Sequence, residues 1–170
     1  MLFFMWLLFF IEMKFDIDLS VFGILPRELI GLIGIVLSPL LHGSIVHIIS
    51  NTLPLLFLGT SLYYFYGRIA KKVFVMCYLL TGLMVWLFAR TSFHIGASGL
   101  IYGIASFLFF SGIVRTEFKS TIISIAVAVA YGGLIWGVLP TIHGISWESH
   151  LFGALVGGGT AFAYRNNVIK

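Results

Sequence analysis

Charged residues interrupt this chain so rarely that the intervals between them decide its environment. Uncharged runs cover 73–89, 91–114 and 120–147, and a longer one covers 29–67. Each is long enough to cross a bilayer, for which about 20 residues suffice and about 17 are tolerated. Composition points the same way: 60% of positions are hydrophobic and 9% charged, against roughly half and a quarter in soluble domains. The chain belongs in a membrane. An all-α polytopic bundle is the expected fold class, because a helix satisfies its own backbone polar groups where water is absent.

Charge, proline and glycine signals divide the chain into six expected spans near 1–14, 43–66, 71–89, 95–114, 119–138 and 147–164, with an outer loop over 15–42 and a single domain over 1–170. The first span has only eleven uncharged residues before Glu12. Nothing basic precedes them and no small-residue cleavage site follows, so the segment reads as a retained helix, completed by flanking residues or by a start further upstream, and not as a signal peptide. With the N-terminus inside, Arg68, Lys71, Lys72, Arg115, Lys119, Arg165 and Lys170 fall on the inner side, and Lys14, Arg27 and Arg90 on the outer. That bias predicts both termini in the cytoplasm of a cell membrane. The net charge of +4 is then topological, and its scattered basic residues call for no nucleic-acid partner. Cys77, the single cysteine, lies inside the third span; it excludes an intrachain disulfide and reads as a small buried hydrophobe.

Polar groups at membrane depth are costly unless they are paired or line a watery cavity. Three such clusters stand out: "HGSIVHIISN" at 42–51, "GASG" at 96–99 and "SWESHLFGALVGG" at 146–158. All three sit at the outer ends of even-numbered spans, which sets His47, Asn51, Ser98 and His150 at similar depths wherever those helices are neighbours. His47 and Asn51, four apart, project from one helix face and can donate to one oxygen. Such a pair serves helix-to-helix hydrogen bonding; it also suits an oxyanion hole.

Gly99 with Gly103, and Gly153 with Gly157, form two GxxxG patterns that let spans four and six approach closely. "GASG" is in that sense a packing patch. If the two faces meet, Ser98 comes to His150, the hydroxyl-to-base arrangement of nucleophilic catalysis. Tyr102, one turn below Ser98, could pack on the imidazole. Glu148 points to the other side of the helix from His150, so a Ser-His dyad without a third member is expected. There is no HExxH, no cysteine pair and no histidine with a Cys or carboxylate companion at ligand spacing, so no metal or other cofactor is expected. His42, His94 and His143 lie near the outer boundary and read as interfacial or capping groups.

In order, spacing and topology the three clusters resemble the rhomboid family of intramembrane serine proteases, from about Leu29 to Tyr164. "HGSIVHIISN" resembles the family's HxxxN in its second span, "GASG" followed by Tyr102 its GxSG nucleophile motif in the fourth, and "HLFGALVG" its HxxGxxxG in the sixth. The resemblance implies a six-helix rhomboid-like bundle with Ser98 as nucleophile and His150 as general base and acid. It implies an oxyanion hole made of the Ser98 backbone N–H and the side chains of His47 and Asn51. Tyr102 would stack on His150, Gly96 and Gly99 would flank the nucleophile, and Gly153 and Gly157 would admit close packing. The implied activity is cleavage of transmembrane segments of membrane-protein substrates near their extracytoplasmic end, after a small residue, within the lipid bilayer and without a cofactor.

Two departures from the family stand out. The Trp-Arg pair that anchors the first outer loop in some members falls here on Ile33 and Gly34, so that loop should be held differently while still lying in the outer leaflet. Pro54, three residues past Asn51, should bend span two and influence the aim of Asn51. Two other functions fit parts of the pattern. A catalytically inactive rhomboid-like protein that binds transmembrane clients is opposed by the presence of both Ser98 and His150. A small transporter or channel is opposed by the apolar, glycine-rich inner halves of spans four and six. Span five, with Gly132, Gly133 and Gly137, is the candidate gate.

Overall fold

A computed structural model describes residues 1–115, 117–140 and 145–166; His143 and Lys170 lie outside the described residues. The apolar runs become α1 (Leu2–Phe15), α2 (Gly34–Leu37), α3 (Ile45–Phe65), α4 (Gly67–Phe88), α5 (Ser98–Val114), α6 (Phe118–Tyr131) and α7 (Trp147–Ala163). Three stretches, Ile45–Phe65, Gly67–Phe88 and Phe118–Val138, are long and apolar enough to cross a membrane. α5 has 17 residues, a rise of about 25 Å. It occupies the centre of the bundle, in contact with α3, α4, α6 and α7. Leu100, Ile101, Ile104, Phe107 and Leu108 are all buried, as a helix that is apolar all round must be. The fold is an all-α membrane bundle.

Several boundaries differ from the sequence expectation, each for a local reason. α4 starts at Gly67 and follows α3 across Tyr66 alone. Arg68, Lys71 and Lys72 therefore stand in its first two turns and not in a loop, from where their long stems can carry the charges to the interface. α5 starts at Ser98 and not near 95, because Gly96 takes a φ of 106° that no helix continues. The fifth span changes character before its end: α6 stops at Tyr131 and the chain tightens into a 3-10 helix over Gly132–Val138, where glycines lower the preference for a regular α-helix.

The first outer loop is structured. Besides α2 it holds 3-10 turns at Leu19–Phe22, Leu29–Leu32 and Ser38–Leu40. At Gly34, one of the two positions of the absent Trp-Arg pair, a Cβ would strike the Gly23 backbone, so no side chain fits. Arg27 does the anchoring instead. Held at φ 64°, it donates from Nη1 to the Ala89 carbonyl at 2.8 Å and from Nη2 to Thr91 Oγ1 at 3.0 Å. A cation at the C-terminus of α4 satisfies carbonyls that have no helical partner. Trp86 Nε1 adds a bond to the Glu28 carbonyl at 2.9 Å, and Tyr78 donates to the Val36 carbonyl at 2.6 Å. Leu29, Ile30, Ile33 and Val36 remain exposed along this loop, an apolar surface suited to the outer leaflet.

The opposite end is closed by a buried cation. Arg115 donates from Nη2 to the Tyr164 carbonyl at 2.6 Å, and its guanidinium sits 5.3 Å from the centre of the Tyr66 ring. Tyr66 in turn donates to Ser120 Oγ at 3.3 Å. The ends of α3, α5 and α7 and the start of α6 are thereby gathered at one face, together with the basic residues of the first turns of α4. The three polar clusters lie at the other face.

Candidate active site

α5 and α7 meet glycine to glycine. A Cβ on Gly153 would overlap the Gly99 carbonyl, and one on Gly157 would overlap the carbonyl of Gly103. Backbones this close leave no room for side chains, and van der Waals contact between them replaces the hydrophobic drive that lipid does not supply. Ser106 Oγ adds a bond to the Ala154 carbonyl at 2.7 Å. The seam carries its two outer ends together: Ser98 Oγ lies 2.9 Å from His150 Nε2.

The other ring nitrogen fixes the tautomer. His150 Nδ1 is 2.8 Å from the Gly137 carbonyl, which can only accept, so Nδ1 carries the proton and Nε2 offers its lone pair to the Ser98 hydroxyl. The Tyr102 ring stacks on the imidazole with centroids 4.2 Å apart and planes 4° from parallel. A third group therefore orients the histidine, and it is a backbone carbonyl. Sequence reasoning missed it because a carbonyl has no residue signature; the nearest signal was the glycine cluster at 132, 133 and 137. Gly137 itself is required, since a Cβ there would run into the Tyr102 hydroxyl and come within 3.1 Å of His150 Nδ1. Gly137→Ala should leave the bundle folded, because neighbouring Ile135 and Trp136 are largely exposed. It should slow fluorophosphonate labelling of Ser98 by about 100-fold, the scale of loss from a misplacement near 1 Å. Labelling at the wild-type rate would remove the carbonyl from this role.

His47 and Asn51 converge on Gly96. A Cβ at Gly96 would lie 2.6 Å from His47 Nε2 and 3.8 Å from Asn51 Nδ2. The positive φ and the pressure of the imidazole both demand glycine two residues before Ser98. Gly99 is confined as well, with Thr81 Cγ2 at 2.9 Å and the Ser149 carbonyl at 3.1 Å from its would-be Cβ. Asn51 Nδ2 donates one proton to the His47 carbonyl at 3.0 Å, which leaves its second N–H available. Pro54 lies inside α3, which continues through it; it withholds the N–H that the Ser50 carbonyl would accept, and Ser50 Oγ bonds the His47 carbonyl at 2.8 Å. Ser98 opens α5 with no side-chain cap, so N–H groups of the first turn, at the positive end of the helix dipole, are left without intrahelical partners.

The outer histidines do other work. His42 is buried, its ring centroid 4.9 Å from that of His47. Burial, and then the neighbouring His47, push it down to about 4, so it is neutral at physiological pH. His94 is also held below its ordinary value by burial, and bonds Ser146 and the Arg90 carbonyl. Glu148 faces Arg90, at 3.5 Å.

A family model of the rhomboid domain matches residues 30–167. An uncharacterized protein of Mycobacterium tuberculosis is 35% identical over 155 residues, which is 85% of this chain and 64% of that relative. One of Mycobacterium leprae is 37% identical over 141 residues, 76% of this chain and 55% of the relative. RHOMBOID-like protein 4 of Arabidopsis thaliana is 31% identical over 125 residues, 69% of this chain and 30% of its own length. The chain thus spans less than two thirds of the length of each of these relatives.

Proposed function

The chain belongs to the rhomboid family and is a multi-pass membrane protein, and from that premise we propose that it is an intramembrane serine endopeptidase working through a Ser98–His150 dyad. The observation that carries this reading is the 2.9 Å contact between Ser98 Oγ and His150 Nε2, with the tautomer set by Gly137.

In the proposed reaction Ser98 Oγ attacks the scissile carbonyl of a substrate transmembrane segment while its proton passes to His150 Nε2. Charge that develops on the carbonyl oxygen is met by the Ser98 backbone N–H, His47 and the second N–H of Asn51, whose amide is already held by the His47 carbonyl. His150 then gives its proton to the departing amine, and an acyl group remains on Ser98. A water molecule, deprotonated by His150, releases the acid and restores the hydroxyl. The substrate must be opened locally first, because a helix shields its carbonyls with its own hydrogen bonds. The basic residues at the far end support a cytoplasmic position for that face and both termini, and on that reading the cut falls near the extracytoplasmic end.

Labelling by a fluorophosphonate in native membranes tests the dyad. Wild type should label and His150→Ala should not. Asn51→Ala should lose about 100- to 1000-fold in cleavage rate, the cost of one oxyanion donor. A loss of only a few-fold would mean that His47 or water suffices.

A further inference from the structure

The outer rim holds a second polar cluster that the dyad does not use. Glu148 is 4% exposed. Its Oε1 meets Arg90 Nε at 3.5 Å and accepts from the Arg90 backbone N–H at 3.4 Å. Arg90 Nη2 donates to the Ile145 carbonyl at 2.6 Å. Beside them His94, 2% exposed, has Nε2 at 3.0 Å from the Arg90 carbonyl and Nδ1 at 2.5 Å from Ser146 Oγ. The carbonyl only accepts, so Nε2 carries the proton and Nδ1 accepts from the Ser146 hydroxyl. Ser146, the cap of α7, accepts in turn from the Ser149 backbone N–H at 3.4 Å, and its oxygen is 2.6 Å from Ser149 Oγ. The His94 backbone also exchanges hydrogen bonds with Ile24 of the first loop, at 2.9 and 3.0 Å.

Stability is a poor reason for this arrangement. Burying a carboxylate is costly, and its partner Arg90 has a side chain 47% exposed, where ion pairs add little. What the cluster does fix is distance. Arg90 and His94 lie just before Ser98 on one segment, and Ser146 and Glu148 lie just before His150 on the other. The glycine seam holds α7 most tightly at Gly153 and Gly157, below His150, and touches its first turn at the Ser149 carbonyl, against Gly99; the Glu148 and Ser146 side of that turn, where helices fray, is held by this cluster. We propose that Glu148, Arg90, His94 and Ser146 are positioning residues that clamp the first turn of α7 to the 90–97 segment and thereby set the reach of His150 Nε2 to Ser98 Oγ. The proposal rests on the protease reading above.

Its test uses the full chain in bilayers with a fluorophosphonate as the probe, separating the maximal labelling rate from the half-saturating concentration and recording the melting temperature alongside. The double variant Arg90→Gln with Glu148→Gln removes both charges and leaves none unpaired. Its maximal rate should fall about tenfold, with half-saturation and melting unchanged, because a small displacement of His150 affects the chemical step before it affects folding. Glu148→Gln alone keeps an acceptor for Arg90 and should retain most of the rate. Ser146→Ala, which removes only a hydroxyl, should also slow the maximal rate, and it carries the test if the double variant does not fold. Wild-type maximal rates in the folded double variant and in Ser146→Ala would overturn the clamp and leave the protease reading standing. A rate that falls only in step with melting temperature would overturn it too. Absence of labelling in wild type would overturn the protease reading and the clamp with it.

Discussion

Ser98→Ala is expected to abolish fluorophosphonate labelling and cleavage while the protein melts as wild type does. The expected loss is about a millionfold, the scale seen when a serine nucleophile is removed. Folding survives because alanine fits the same seam and gives up only the hydrogen bond to His150, worth about 1 kcal/mol or less in net stability. The sharper part of the prediction is non-additivity. His150 has no function in attack without the hydroxyl, so His150→Ala should cost nearly as much as Ser98→Ala, and the double variant no more than either. Two losses that multiply would mean that the residues act independently, and the 2.9 Å contact would not be a catalytic pair. Residual cleavage in Ser98→Ala at a tenth of the wild-type rate would transfer the nucleophile elsewhere.

The parts of this site that are legible in the sequence are those where a side chain sits at a cost. His47, Asn51, Ser98 and His150 are polar at membrane depth, and the glycine pairs at 99/103 and 153/157 repeat at helical spacing. Both patterns can be read without coordinates, because in lipid each polar or missing side chain needs a reason. The backbone is where the reading stops. That the Gly137 carbonyl holds His150 depends on α6 giving way to a tighter helix, and nothing in the residue types of 132–138 fixes where the carbonyls of such a turn point. The start of α5 is a similar case: the run from 95 onward is apolar enough to be helical, yet Gly96 at φ 106° delays the helix to Ser98 and gives His47 the space a side chain would fill.

The first loop shows a different limit. The absence of a Trp-Arg pair at Ile33 and Gly34 announces that its anchor must be another one, but the replacement, Arg27, is 62 residues from its main acceptor at Ala89. Contacts over that separation leave no periodic trace. The same holds for Glu148. Its place two residues before His150 correctly turns it away from the imidazole, while the partner it turns toward, Arg90, belongs to a segment 58 residues earlier.

Gly153→Leu should badly damage the bundle, and it separates packing from chemistry along one helix. The would-be Cβ overlaps the Gly99 carbonyl, an atom of α5's own backbone that cannot rotate away. A leucine fits only if α5 and α7 move apart, and overpacking costs about 1–3 kcal/mol even where side chains can yield. The same movement takes His150 from Ser98, so labelling should fall by at least about 100-fold and the melting temperature should drop with it. Gly159→Leu supplies the comparison: its would-be Cβ meets nothing within 4 Å, so the side chain extends into lipid and the protein should melt and label as wild type. Gly153→Ala should fall between the two, because even a methyl group overlaps the carbonyl. If Gly153→Leu melts with Gly159→Leu, the glycines are not what brings the two helices together, and the proximity of Ser98 to His150 needs another cause.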